Sequence, residues 1–176
     1  MRQIRAELLD RVLHRKEAGF SLLELLVVVA IILIVAALAV PNLLRSRATA
    51  SEGSAVQSLR VFITAESVYA STYGNGYSPD LPALGGGASV NCDTANLLDS
   101  VLAGGTKSNY RFTYVGASAL ATPAPGCTAS GFGTFQFTAD PNSSIVPGQR
   151  HFYVDQTGVI RQNSTGAAGP TDPPIS

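Results

Sequence analysis

From Leu25 to Val40 the chain carries no charged and no strongly polar side chain, LLVVVAIILIVAALAV. With the preceding Phe20-Ser21-Leu22-Leu23-Glu24 the run covers about 21 positions, roughly 32 Å as a helix and about one bilayer hydrocarbon thickness. It is apolar on every side, unlike the half-buried surface helix of a soluble domain. Beyond it the pattern acquires a period. Ala48, Ala55, Leu59, Phe62, Tyr69 and Tyr73 recur mainly at three- and four-residue steps, with Val56, Ile63 and Ala70 beside them, which is the spacing of one helix face. Arg45, Arg47, Glu52, Arg60 and Glu66 fall on less apolar faces. Pro41 removes a backbone donor and is expected to kink or weaken the helix, at a cost of about 3 kcal/mol. Gly74-Asn75-Gly76 offers the residues of a left-handed C-cap. The pattern predicts one helix from Phe20 to Tyr73, apolar all round in its first half and amphipathic in its second.

Tyr77 to Val90 reads as loop, with Pro79, Pro82 and Gly85-Gly86-Gly87. Asp93 or Thr94 is expected to cap a short helix through Leu97, Leu98, Val101 and Leu102, closed by Gly104-Gly105. Aromatic and polar residues then alternate in Tyr110–Val115 and Thr134–Ala139. His151–Val154 and Val159–Arg161 flank the turn Asp155-Gln156-Thr157-Gly158. A meander of about four antiparallel strands on the second half of the helix buries Phe62, Tyr69 and the strand aromatics together, an α+β fold. Gly166 to Ser176 has no apolar periodicity and reads as a mobile tail.

Charge changes the picture at one end. Residues 1–19 carry five basic and three acidic side chains, and the remainder seven and nine. A basic flank before an apolar span holds the N-terminus in the cytoplasm and sends the rest across. Arg45 and Arg47 on the far side oppose that orientation but are outnumbered. The chain as a whole is neutral, so no nucleic-acid partner is expected. Cys92 and Cys127 both lie beyond the apolar run. They suit one disulfide in an oxidising compartment, the alternative being two buried free thiols. A bridge would close about 36 residues, worth roughly 4 kcal/mol in the chain-entropy model.

Catalytic chemistry is missing from the pattern. His14 and His151 have no recognised metal-ligand spacing with the cysteines. There is no phosphate loop, nucleophile elbow or paired-carboxylate motif. Asp140-Pro141-Asn142 and Asp155-Gln156-Thr157-Gly158 have too few ligands in series for calcium, and turn chemistry explains them. Asn142-Ser143-Ser144 and Asn163-Ser164-Thr165 are short acceptor-type sequons that arise often by chance. No enzymatic activity, cofactor or metal is assigned.

Glu24 is the odd residue, an ionisable group at the edge of a membrane span. It either snorkels to the headgroups or meets a cation. A cut after Gly19 would give Phe20 a free amine one helical turn away. Gly19-Phe20-Ser21-Leu22-Leu23-Glu24-Leu25-Leu26, with Pro41 after the apolar run, resembles the processing segment of type IV prepilins and type II secretion pseudopilins. The resemblance covers roughly residues 14–45. It implies cleavage between Gly19 and Phe20 by a membrane prepilin peptidase, which also N-methylates Phe20. It further implies assembly through Glu24 and a helix spine laid on an antiparallel sheet. The division it suggests is a cytoplasmic leader over 1–19, a transmembrane and filament-core helix over 20–41 and an amphipathic helix over 42–74. A globular head over 75–165 and a tail over 166–176 follow.

The expected product is a homo-oligomeric helical filament subunit, resident in the bacterial inner membrane before assembly. Afterwards it stands in a surface pilus or periplasmic pseudopilus, built by the corresponding assembly machinery. Two alternatives stay open, a type II secretion pseudopilin and a tethered or secreted binding domain that never polymerises. Ala37-Leu38-Ala39 also matches the small-x-small pattern of ordinary signal peptidase.

Overall fold

The computed structural model describes residues 19–142 and 149–175. The leader, His14 and most of the Asn142-Ser143-Ser144 sequon lie outside the described residues. Helix α1 spans Leu22–Tyr73 and contains Pro41. Proline deletes one rung of the ladder, the bond to the Ala37 carbonyl. The helix continues on the rungs either side, and the Asn42 side chain donates to the Leu38 carbonyl at 3.2 Å. Gly74 ends the helix with φ +62° and donates to the Ala70 carbonyl at 3.2 Å, a left-handed cap that glycine takes without a Cβ penalty.

The chain divides into two compact units, Met1–Asn42 and Leu43–Ser176. In the first, the described residues belong to the N-terminal stretch and the start of α1. The second joins the rest of α1 to a five-stranded antiparallel sheet: β1 Thr106–Lys107, β2 Tyr110–Ala119, β3 Phe132–Pro141, β4 His151–Asp155 and β5 Arg161–Asn163. Strand order follows chain order, a simple meander. Its inner face is set by the registers Phe112↔Ala139↔Phe152 and Tyr114↔Phe137↔Val154. Those side chains meet Ala55, Leu59, Phe62, Ala65 and Tyr69 of α1 in one core. Phe62 lies at its centre, stacked on Phe137 with ring centroids 4.5 Å apart and edge-on to Phe112 at 5.2 Å.

Four local expectations are corrected. Strand β1 was not expected. It is two residues long and turns into β2 through Ser108 and Asn109, both at positive φ, so that Lys107 faces Tyr110 as in a type I′ hairpin. The short helix, α2, is only Ser100–Ala103, and its cap is Asp99, whose carboxylate accepts from the Val101 and Leu102 amides. Residues 95–98 cannot be helical because their amides donate to Ala83, Gly85 and Leu84 carbonyls around a 3-10 turn at Pro82–Leu84. Asp93 instead accepts from Thr128.

The segment from Gly166 is a docked strap where a mobile tail was expected. Gln162 donates to the Pro173 carbonyl and Ile175 to the Ile160 carbonyl. Arg161 pairs with Pro174 as an isolated bridge, and Ala168 is buried. A strap of this kind needs no apolar period, because backbone hydrogen bonds at the β5 edge hold it together with Arg161 and Asn163, which donate to the Asp172 carbonyl and carboxylate. Finally, Glu52 and Glu66 are buried in the head rather than set on a polar face.

Cys92 and Cys127 are joined, with Cα atoms 5.5 Å apart. Cys92→Ser is expected to expose the Cys127 thiol to alkylation and to lower head stability by about 2–5 kcal/mol. Free alkylation of both thiols in unreduced native protein would contradict the bridge.

Candidate functional site

Gly19, Phe20 and Ser21 precede the helix, and the Ser21 carbonyl accepts from the Leu25 amide at 3.1 Å, the first rung of α1. A Cβ built on Gly19 meets nothing within 4 Å, and the Phe20 side chain is 78% exposed. Glu24 lies in the first turn of α1, where the positive end of the helix dipole favours a carboxylate. No Lys or Arg occurs between Phe20 and Arg45. The large apolar residues from Leu22 to Leu44 are exposed, Leu33 and Ile34 by about two thirds. Among the described residues this is the one helix long and apolar enough to cross a membrane. An apolar surface of that extent is stable only in a bilayer or against other chains.

The head offers a different chemistry, buried and acidic. Glu66 is fully buried, and its carboxylate accepts from the Ser78 amide at 2.8 Å and the Ser78 hydroxyl at 2.7 Å. Tyr114 donates its hydroxyl to the Ser78 carbonyl. Burial pushes the Glu66 carboxyl above its usual range, and the two Ser78 donors pull partly the other way. Burial likewise raises Tyr114, with Glu66 adding to it. Glu52 binds Arg150, with Nη2 at 2.7 Å and Nε at 2.8 Å. Asn75 reaches the 120–131 loop, donating to the Ala129 carbonyl and accepting from the Ala124 amide. His151 is on a strand and its Nδ1 lies 2.6 Å from Asp140 Oδ1. Asp155 closes a turn by accepting from the Thr157 amide and hydroxyl. Among the described residues no cluster of three His, Cys, Asp or Glu side chains could hold a metal.

Sequence reasoning missed Glu66 and Glu52 as anchors, although the signal was present. Positions 52, 55, 59, 62, 66 and 69 step by three and four without a break, and the two glutamates fill gaps in the apolar rhythm. A raised carboxyl contributes stability below its unfolded value of about 4.5, and that contribution is lost as pH rises through the folded value. Between pH 4.5 and 7 the urea midpoint of the head is therefore expected to fall from this group as pH rises. Glu66→Gln should flatten that slope, because an amide does not titrate; its oxygen still accepts from the Ser78 amide and its NH2 donates to the hydroxyl, which turns to accept. An unchanged slope would place the pH dependence elsewhere.

Residues 14–40 match the family model described as the prokaryotic N-terminal methylation motif. No curated protein and no solved structure matches the chain. Gly19, Phe20, Glu24 and most of the exposed apolar span fall within the 14–40 match. The matched segment is similar to the cleavage and methylation segment of type IV pilins and pseudopilins.

Proposed function

We propose that the mature chain is the structural subunit of a type IV pilus-like filament, beginning at N-methylated Phe20 after prepilin peptidase cuts behind Gly19. The observation that carries this reading is the matched segment at 14–40 on a helix whose apolar surface is unburied all round. Before assembly, Phe20–Val40 spans the inner membrane with the basic leader in the cytoplasm. After extraction by the assembly machinery, the same surfaces pack against copies of themselves. A heterologous contact repeated by every subunit makes a filament rather than a closed ring. Glu24 pairs with the Phe20 amine of a neighbouring subunit and so fixes axial register. The head, held as one piece by its core and the Cys92–Cys127 bridge, stands on the outside.

Mass analysis of the N-terminus tests the processing step. The expected chain starts at methylated Phe20, whereas a start at Val40 or a retained Met1 overturns it. A large residue at Gly19 should leave uncleaved precursor in the membrane, while Gly19→Ala should be partly tolerated. Imaging cells with and without the gene tests polymerisation. A cleaved, methylated chain with no gene-dependent filament would favour a tethered domain.

A further inference from the structure

We infer that Arg45 and Arg47 bind the anionic headgroups of the outer leaflet of the inner membrane, setting the depth of the subunit before assembly. This rests on the reading of Phe20–Val40 as a bilayer span. Both arginines are exposed. Their helical neighbours three and four residues away are Pro41, Asn42, Ala48 and Thr49 for Arg45, and Leu43, Leu44, Ala50 and Ser51 for Arg47. None is acidic, so no pair forms along the helix.

The next acid along the chain, Glu52, is held by Arg150 at 2.7 Å, and the following one, Glu66, is fully buried against Ser78. Among the described residues the ion pairs are Lys107–Asp99, Arg150–Glu52 and His151–Asp140. Folding of the head thus withdraws Glu52 and Glu66, the acids that follow the two arginines on α1, and among the described residues no acid forms an ion pair with Arg45 or Arg47.

Their position selects the partner. Arg45 follows Val40 by five residues, about 7–8 Å at the helical rise. A headgroup layer is about 5–8 Å deep beside a hydrocarbon core of about 30 Å. Long arginine stems reach back toward that layer, and the guanidinium fork suits phosphate oxygens. Two residues apart, the side chains leave the helix about 200° from each other. A single protein partner docking on one side would meet one of them, whereas a leaflet surrounds the helix and meets both. Exposed Leu43 and Leu44 continue the apolar surface up to the charges.

The test uses the full chain in phosphatidylcholine vesicles, with spin-labelled phosphatidylglycerol or phosphatidylcholine as probe. The motionally restricted fraction reads relative association. The basic residues of 1–19 contribute equally to every variant, so the readout is the difference between chains. Arg45→Gln and Arg47→Gln should each lower the preference for phosphatidylglycerol by about fivefold at low salt, and the double variant by more. Arg60→Gln, also exposed on the same helix but 20 residues beyond Val40, about 30 Å at the helical rise, should leave it unchanged. Added salt should shrink the parent's advantage over the double variant.

An unchanged preference in the double variant, or an equal loss in Arg60→Gln, overturns the inference. The two arginines would then be cations reserved for a neighbouring copy. Absence of any restricted lipid with every chain would instead overturn the span itself, and the inference with it.

Discussion

A Glu24→Gln strain is expected to make correctly cleaved, membrane-resident subunit and few or no filaments. Packing Glu24 among apolar helices is unfavourable unless a cation shares the site. The Phe20 amine is the candidate, since no Lys or Arg lies between Phe20 and Arg45. Glutamine keeps shape and polarity but removes the charge, leaving the neighbour's amine buried without a counter-ion. Breaking one side of a buried pair costs on the order of 3–5 kcal/mol. The contact recurs at every subunit, so a smaller loss still stops or greatly slows growth. Insertion should be unaffected or slightly easier, because a neutral residue enters a bilayer at lower cost. Electron microscopy of filament number, together with N-terminal mass analysis, checks both halves. Normal filament number with Glu24→Gln would remove the charge-pairing mechanism.

Phe62→Ala should cost the head about 3–5 kcal/mol, a large part of the 5–15 kcal/mol typical of a domain. Phe62 is fully buried and touches β2 and β3 at once, stacked on Phe137 and edge-on to Phe112. Alanine there leaves a cavity between helix and sheet that rigid strands close only in part. Val68→Ala, on the exposed side of the same helix, should change stability by no more than about 0.5 kcal/mol. Urea unfolding of the full chain in detergent, followed by tyrosine circular dichroism, separates the two. Equal midpoints for the two variants would show that the helix–sheet contact is not the core of the head.

The α+β architecture was legible because each part announces itself by period. The unbroken apolar run is long, the helix repeats at three and four, and β2 and β3 alternate aromatic with polar residues over Tyr110–Val115 and Thr134–Ala139. What escaped is short or held from a distance. Strand β1 has two residues and no room for a pattern, and its Ser108-Asn109 turn lacks the glycine that marks such hairpins. Asp93 and Asp99 are equally good caps by residue type. Hydrogen bonds from 95–98 to the 3-10 turn decide between them, and those partners cannot be known until the chain has folded back. The strap at 166–175 is fixed by main-chain bonds and by Asp172, whose partners Arg161, Asn163 and Gly169 follow no local period. Of the candidate site, the segment around Gly19, Phe20 and Glu24 could be read residue by residue, because its geometry is that of one local helix end. The position of Glu66 in the apolar rhythm was legible too, but its partner Ser78 was not, since it lies beyond the Gly74 cap.

The 120–131 loop illustrates what the cross-links mean for recognition. Most of it faces solvent, yet it is tied by the Cys92–Cys127 bond, by Asn75 at Ala124 and Ala129, and by Asp93 at Thr128. Fixing a residue's backbone costs about 1–2 kcal/mol of entropy. Here that ordering happens when the head folds, not when something docks. An antibody or partner directed at these residues would meet a preformed shape and keep more of its contact energy as affinity. The same epitope as a free peptide, or on a reduced head, would be recognised more weakly even though every contacting side chain is still present.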